Sequence, residues 1–169
     1  MPEPNPYTPV ISRDVHSAKG ERTRPLLTYW ETLCGEGTLP GWQNFNLMDL
    51  YKIAPYLAVL DVEGADSAPK YRYRYVGSYL VRTREGLENA DPTGKIFDEI
   101  PRAYDFTPIL ETFTSCISEK VPFLISGSFL TYRQFGYGER LIVPLTNDGK
   151  KIDKLVTCLD RLKEEDISK

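Results

Sequence analysis

The sequence predicts an α+β fold: one five-stranded antiparallel sheet with helices on one face and a further helical segment at the N-terminal end of the domain. The first observation behind this prediction is size, because 169 residues suit a single core and are too few for two catalytic lobes. The second is composition, since 41% hydrophobic and 27% charged residues are typical of a globular domain. The third is element order: strand patterns form a group of two and a group of three with helices between them, which excludes a doubly wound sheet.

Residues 1–25 are predicted to be a flexible arm, because prolines and polar side chains dominate them. The sequence assigns residues 26–163 to a single domain and residues 164–169 to a polar tail. The domain begins with a short amphipathic helix, since apolar residues recur at intervals of three and four from Leu26 to Cys34. Asn46 is an N-cap candidate for a second helical segment, which Pro55 ends.

The remaining elements are five strands and two helices. The runs YLAVLDV (residues 56–62) and KYRYRYV (residues 70–76) flank a turn-forming segment and therefore predict a hairpin. The following GSYLVRTREG predicts a short helix, and the longest helix begins near Thr107 and ends before Pro122. Three further strands are predicted in FLISGSFLTY, GERLIVPLT and KLVTCLDRL.

The alternation of tyrosine and arginine in KYRYRYV raises the question of nucleic-acid binding. Strand alternation puts Tyr71, Tyr73 and Tyr75 on one face and Arg72 and Arg74 on the other. Binding to a single strand would need aromatic and basic side chains on the same face, so it is not expected. We expect the tyrosines to pack against helices and Arg74 to meet a carboxylate or carbonyls of the helical segment. Arg74→Ala should then destabilise the protein more than Arg72→Ala.

Three short motifs occur in a fixed order along the chain: YRYRYVGS, DPTGKIFDEI and LIVPLTNDGKKID. Their pattern of Tyr-Arg-x-x-Gly, Asp-x-Thr-Gly and Pro-Leu-x-x-x-Gly resembles the small PAS-type domain family of alphaproteobacteria. The matching positions are Arg74, Gly77, Asp91, Thr93, Gly94, Pro144, Leu145 and Gly149. The resemblance extends from about residue 26 to residue 162 and implies a PAS-like fold, in which a five-stranded sheet is cupped against helices.

The resemblance also implies a sensory or signalling module, often dimeric, that binds a small molecule or another protein. A ligand pocket is expected between the sheet and the helices, with apolar walls and a few hydroxyl groups. The candidate lining residues are Tyr73, Tyr75, Tyr79, Phe113, Ser126 and Ser128. The same residues also describe an ordinary filled core.

Haem and flavin are not expected as cofactors, and the sequence does not identify any other cofactor. A haem site would use a histidine on the long helix, whereas His16, the only histidine, lies in the predicted arm. None of Cys34, Cys116 and Cys158 lies in an Asn-Cys-Arg-Phe-like segment, which a photoactive flavin site of the LOV kind would need. Their spacing also fits neither a disulfide framework nor a zinc site, and no metal site is predicted.

The chain is not predicted to be an enzyme, because it lacks the common nucleophile, dinucleotide and phosphate-binding motifs. The net charge of -3 and the absence of a signal peptide or a run of roughly 18 apolar residues predict a cytoplasmic protein that binds neither nucleic acid nor membranes. The leading interpretation is a PAS-like sensor with output through a signalling partner or through a homodimer, formed by the apolar side of the first helix with Leu27 and Trp30. Two alternatives stay open: a structural interaction module with a filled core, and a small-molecule enzyme.

Overall fold

The computed structural model describes residues 9–84, 86, 90–102, 105–130 and 135–163, and the side chains of residues 128–130 and 135 lie outside that description. In chain order, the strands and α-helices are β1 (Val10–Ser12), α1 (Thr23–Leu33), β2 (Leu57–Glu63), β3 (Lys70–Val76), α2 (Ser78–Thr83), α3 (Thr107–Glu119), β4 (Phe123–Leu130), β5 (Phe135–Leu145) and β6 (Lys154–Arg161). Short 3-10 turns lie at Val15–Ser17, Trp42–Asn44, Leu47–Leu50, Ala54–Tyr56 and Phe97–Glu99.

The strands form one antiparallel sheet of six strands in the order β1-β4-β5-β6-β2-β3. The last three strands make a meander, and β6 pairs with β2 of the hairpin β2–β3. Because β3 and β4 lie near opposite edges of the sheet, the connection between them crosses the sheet. The helices α2 and α3 lie in this connection. The predicted α+β class with a single antiparallel sheet is confirmed.

The strand β1 was not predicted from the sequence. Val10–Ser12 pair with residues 124–126 of β4, so the described part of the predicted arm extends the sheet at one edge. Next to it, Nε and Nη2 of Arg13 donate to the carboxylate of Glu119, the last residue of α3, at 2.7 and 2.6 Å. A strand of three residues is too short to produce a readable alternation of apolar and polar positions. The predicted domain boundaries themselves stay a prediction.

Helices cover both faces of the sheet. We call the side that packs against Phe113 and Cys116 the α3 face, and its buried strand residues are Leu60, Tyr71, Phe123, Ile125, Ile142 and Leu155. We call the other side the α1 face, because Leu26, Leu27 and Trp30 of α1 pack there. Its buried strand residues are Leu57, Val59, Leu124, Leu141, Val143, Leu145, Val156 and Cys158. The N-terminal helix and the long helix therefore lie on opposite sides of the sheet.

The apolar side of α1 is buried in its own domain. Leu27 and Trp30 are 5% and 7% exposed, and the indole N–H of Trp30 donates to the carbonyl of Pro144 at 2.8 Å. These side chains are not free to contact a second copy of the chain. The predicted dimer interface through them is wrong, because the helix finds its apolar partner on its own sheet, and dimerisation itself stays a prediction.

Two buried carboxylates hold the start of α1 on the sheet. Glu139 of β5 and Asp160 of β6 are direct cross-strand partners on the α1 face, and they are 2% and 1% exposed. Glu139 accepts hydrogen bonds from the backbone N–H of Gly20 at 2.6 Å and from the hydroxyl of Thr23. Asp160 accepts from the backbone N–H and the Nη1 of Arg22 at 2.8 and 3.0 Å. The segment just before α1 and the first residue of the helix thus find hydrogen-bond acceptors in the sheet.

A β-bulge in β3 separates Tyr75 from the two preceding tyrosines. Val59 pairs with Tyr75 and Leu60 pairs with Tyr73, which leaves Arg74 as an extra residue in the ladder. The tyrosines before the bulge pack on the α3 face, whereas Tyr75 packs on the α1 face. The prediction that all three tyrosines share one face is therefore wrong for Tyr75, because strict alternation fails at a bulge.

Arg74 meets a carboxylate, but in the sheet and not in the helical segment. Its Nε donates to Asp61 of β2 at 2.8 Å, and its side chain is 47% exposed. The Nε and Nη2 of Arg72 donate to Glu63 of the same strand at 2.8 and 3.1 Å, and Nη1 donates to the carbonyl of Gly94 at 2.9 Å. The predicted helical partner of Arg74 is wrong, because the hairpin places acidic residues of β2 beside both arginines. Both arginines thus pair with a carboxylate of β2, and Arg72 also donates to a backbone carbonyl.

The other residues of the sequence motifs shape turns and chain crossings. Asp91 accepts from the N–H and hydroxyl of Thr93 at 3.1 and 2.6 Å, and Gly94 follows with a φ of 84° that favours glycine. Any Cβ on Gly77 would collide with the carbonyls of Ala54 and Pro55, so glycine is required where β3 turns into α2. The remaining motif residues, Pro144, Leu145 and Gly149, lie at the end of β5 and in the turn that follows.

Candidate ligand site on the α3 face

The part of the α3 face beneath α3 is filled by aromatic side chains. The ring of Phe113, which is fully buried, lies 5.1 Å from the rings of both Tyr71 and Phe97. The ring of Phe97 in turn lies 5.7 Å from Tyr73 and 5.9 Å from Phe106. Burial raises the pKa of Tyr71, whose hydroxyl pairs with Thr114 at 3.1 Å. This half of the face is a packed core.

Arg102 closes the edge of the aromatic cluster. Its guanidinium carbon lies 3.8 Å from the ring centre of Phe97 and 5.0 Å from that of Phe106. Nη1 donates to the carbonyls of Phe97 and Ile100, and Nη2 donates to the hydroxyl of Tyr73 at 3.0 Å. Cation–π contacts and carbonyl acceptors thus hold this cation in place without a carboxylate among the described residues.

The other half of the α3 face presents smaller side chains. Ala58 of β2 lies between Val76 of β3 and Thr157 of β6, and strand alternation puts all three on the α3 face with Leu60 and Leu155. On β5 the same face carries Gly138 and Arg140, and on β4 it carries Gly127. The sheet thus changes from large aromatic and aliphatic residues to alanine, threonine and glycine within a few residues of each strand.

Thr157 is a buried residue whose hydroxyl lacks a hydrogen-bond partner in the described part of the chain. The residue is 0% exposed, and its hydroxyl makes no hydrogen bond with any residue that the structure describes. It lies on the α3 face beside Ala58 and directly opposite Ile142. Because nearly all buried side-chain polar atoms in folded proteins are hydrogen-bonded, such an exception calls for a physical explanation.

Arg140 is the second polar residue on this half of the face. It is half-buried, and it makes neither a hydrogen bond nor an ion pair with the part of the chain that the structure describes. Its direct neighbours across the strands are Ile125 and Leu159. Thr157 pairs with Ile142, two residues from Arg140, which makes the two polar residues diagonal neighbours at about 7–8 Å between Cα atoms. A long arginine side chain spans that separation.

The structure brings only part of the predicted pocket together. Tyr73 and Phe113 lie on the α3 face and contact each other through Phe97. Tyr75 lies on the α1 face, where its hydroxyl donates to a carbonyl of the turn before β2, and Ser126 pairs with Glu139 on that face. Tyr79 of α2 packs on the ring of Tyr56 at 4.5 Å, and the side chain of Ser128 lies outside the described residues. Thr157 and Arg140 were not predicted, although their positions in strands with apolar neighbours are a usable signal.

The three cysteines are thiols with raised pKa values. Burial raises the pKa of Cys116 on α3 and of Cys158 on β6, and burial followed by the nearby Glu31 raises the pKa of Cys34. No group of three or more His, Cys, Asp or Glu residues within the described ranges is arranged to hold a metal ion. Exposed His16 instead contacts Glu31, with Nε2 at 3.0 Å from its carboxylate.

The α1 side carries an open groove at the surface. Its volume is about 650 Å³, and it lies between the outer side of α1 and the turn Leu47–Leu50. The lining residues are Glu21, Arg24, Pro25, Thr28, Tyr29, Thr32, Asp49 and Leu50. Tyr29 donates to Asp49 at 2.9 Å across it. None of the predicted pocket residues lines this groove.

Comparison with known proteins gives structural similarity only. No protein-family model and no curated protein matches the chain. The LOV domain of the blue-light photoreceptor Aureochrome1 in its light state gives a TM-score of 0.46 at 14% identity, over 72% of this chain and 91% of that chain. The dark state of the same domain gives a TM-score of 0.47 at 15% identity, over 72% of this chain and 86% of that chain. An RNA-binding Light-Oxygen-Voltage receptor gives a TM-score of 0.48 at 11% identity. The similarity covers 96% of this chain and 40% of that chain.

All three TM-scores lie below 0.5, so these similarities establish neither a family nor a role for this chain. The strand order and the helices inserted between β3 and β4 give the chain an α+β fold with one antiparallel sheet. The resemblance to an alphaproteobacterial family stays a prediction. None of the described helices combines the length and the apolar character that a membrane span requires.

Proposed function

We propose that this protein is a PAS-like sensory module that holds a small molecule against the α3 face, beside the packed aromatic cluster, and passes its state to a partner. The observation that carries the proposal is Thr157, a fully buried hydroxyl without a hydrogen bond among the described residues. A bound molecule with a polar group would satisfy that hydroxyl. Ala58 and Gly138 present little or no side chain on the same face of the sheet.

The role is one of binding and not of catalysis. The polar strand residues on this half of the face are Arg140, Thr157 and Arg161, and none of them is itself a general base or an activated nucleophile. The predicted pocket residues Tyr73 and Phe113 form the wall beneath α3. Output through a signalling partner or a homodimer, in the cytoplasm, belongs to this proposal. A dimer would use a surface other than the apolar side of α1.

The test is native mass spectrometry of freshly purified protein, compared with the variant Ala58→Leu. Ala58 is 2% exposed and adjoins Thr157, so a larger side chain fills the proposed site. We expect the wild type to carry a small molecule and Ala58→Leu to fold without it. Ala65→Leu, at an exposed position in the turn after β2, is the matched control and should keep the molecule.

The competing function is an interaction module with a filled core, for which the aromatic cluster beneath α3 is the supporting observation. In that case the wild type carries nothing, and Ala58→Leu overpacks the core and lowers the melting temperature clearly. Such a result would overturn the sensory proposal.

A further inference from the structure

Arg140 and Thr157, which have no hydrogen-bond or ion-pair partner among the described residues, differ in chemistry, and the difference indicates what kind of ligand they bind. Thr157 supplies one hydroxyl, which both donates and accepts. Arg140 supplies a permanent positive charge with donors in a fixed plane. The strand residues of the described chain that share the α3 face include no carboxylate, since Glu139 and Asp160 project to the opposite side. A ligand there faces a cation without a protein counter-ion.

We infer that the ligand is a small monocarboxylate with an apolar body, whose carboxylate is bound by Arg140 and Thr157. This inference rests on the proposed function, because it names the chemical class that the same site takes. Two parallel N–H donors of a guanidinium match the two oxygens of a carboxylate, and the hydroxyl of Thr157 supplies a third hydrogen bond. Arg161 shares the face but already has a partner, which leaves Arg140 and Thr157 for the ligand. One such cation and one hydroxyl suit one carboxylate, whereas a phosphate carries more charge and more acceptors than they satisfy.

The surroundings of the two polar residues determine the rest of the ligand. Arg140 lies between Ile125 and Leu159, and Thr157 lies beside Ala58. These neighbours are apolar and offer no hydrogen bond from their side chains. The body of the ligand is therefore apolar, and the carboxylate alone fixes its orientation.

The test measures the binding of matched pairs of probes by isothermal titration calorimetry. The pairs are hexanoate with hexanamide, benzoate with benzamide, and phenylacetate with phenylacetamide, and phenyl phosphate is added as the competing anion. Each amide keeps the shape of its carboxylate and lacks the charge. We expect at least one carboxylate to bind the wild type more tightly than its amide by between about tenfold and a hundredfold, the range for a charged hydrogen bond.

Two variants locate the effect. Arg140→Gln should abolish the preference for carboxylate over amide, while Arg74→Gln, which removes an arginine that pairs with Asp61 on the other face, should keep it. Thr157→Val should weaken carboxylate binding without lowering the melting temperature of the ligand-free protein, a combination that a purely structural threonine would not give.

The outcomes separate this inference from the proposed function. If amides bind as tightly as carboxylates, if phenyl phosphate binds best, or if Arg140→Gln behaves like Arg74→Gln, the carboxylate assignment is overturned and the binding site stands. If no probe binds and the freshly purified protein is empty, both the assignment and the sensory proposal are overturned.

Discussion

Glu139 and Arg140 are consecutive residues of β5 that project to opposite faces of the sheet. On the α1 face, Glu139 and its cross-strand partner Asp160 are buried and accept several hydrogen bonds from the beginning of α1. On the α3 face, Arg140 and the nearby Thr157 have no partner among the described residues. The polar groups of the α1 face therefore hold the fold together, and those of the α3 face are the ones that we propose for a ligand.

The largest expected effect comes from removing a carboxylate of the α1 face. Glu139→Leu leaves the N–H of Gly20 and the hydroxyl of Thr23 without their acceptor and removes the anchor of α1. We expect the free energy of unfolding to fall by several kcal/mol, because each buried donor left unsatisfied costs about 1–3 kcal/mol. Urea denaturation followed by circular dichroism measures it.

The matched control is Glu111→Leu, at an exposed glutamate of α3. Its effect on the urea midpoint should be small, because surface substitutions away from specific contacts change stability little. Equal losses for Glu139→Leu and Glu111→Leu would show that the α1 face does not depend on its buried carboxylates.

A smaller effect concerns pH. Burial alone would raise the pKa of Asp61, but hydrogen bonds from Arg74 and Lys154 lower it below its usual value. A carboxylate with a lowered pKa in the folded state contributes stability above its unfolded pKa of about 4, and that stability is lost as the pH falls further. We expect the free energy of unfolding to fall below about pH 4 in the wild type and less steeply in Asp61→Asn. Identical acid profiles from urea titrations would contradict this role for the ion pairs of Asp61.

The smallest effects are expected for the two arginines of β3. Arg72 and Arg74 each pair with a carboxylate of β2, and their side chains are 42% and 47% exposed. Exposed ion pairs contribute little, so Arg72→Ala and Arg74→Ala should both lower the melting temperature slightly and by similar amounts. Differential scanning calorimetry measures the melting temperatures of both variants. A clear decrease for Arg74→Ala alone would support the prediction made from the sequence.

Composition and periodicity were sufficient to predict the order of the elements from α1 onwards and the single antiparallel sheet, but not β1. The run KYRYRYV was predicted with the bounds that β3 has in the structure, because its alternation and its flanking turns are local signals. The bulge at Arg74 could not be predicted, since it arises from the pairing of two strands and leaves no mark in the alternation itself. Tyr75 was therefore assigned to the wrong face.

The candidate site was less accessible to sequence analysis than the fold. Strand alternation can separate Glu139 from Arg140, but only the register between β5 and β6 shows that Arg140 and Thr157 are neighbours. Only the folded arrangement also shows that the hydroxyl of Thr157 has no hydrogen bond within the described ranges and that Glu139 contacts the start of α1. Pairing between distant segments decides each of these points.

The central claim is that Thr157 serves a ligand and not the fold, and the most direct measurement is the stability of Thr157→Val in ligand-free protein. Valine keeps the shape of threonine and removes the hydroxyl that has no hydrogen bond among the described residues. We expect urea denaturation to show an increase in the free energy of unfolding of about 1–3 kcal/mol, because an unsatisfied buried polar group is removed. A decrease would show that the hydroxyl stabilises the fold and would contradict the account.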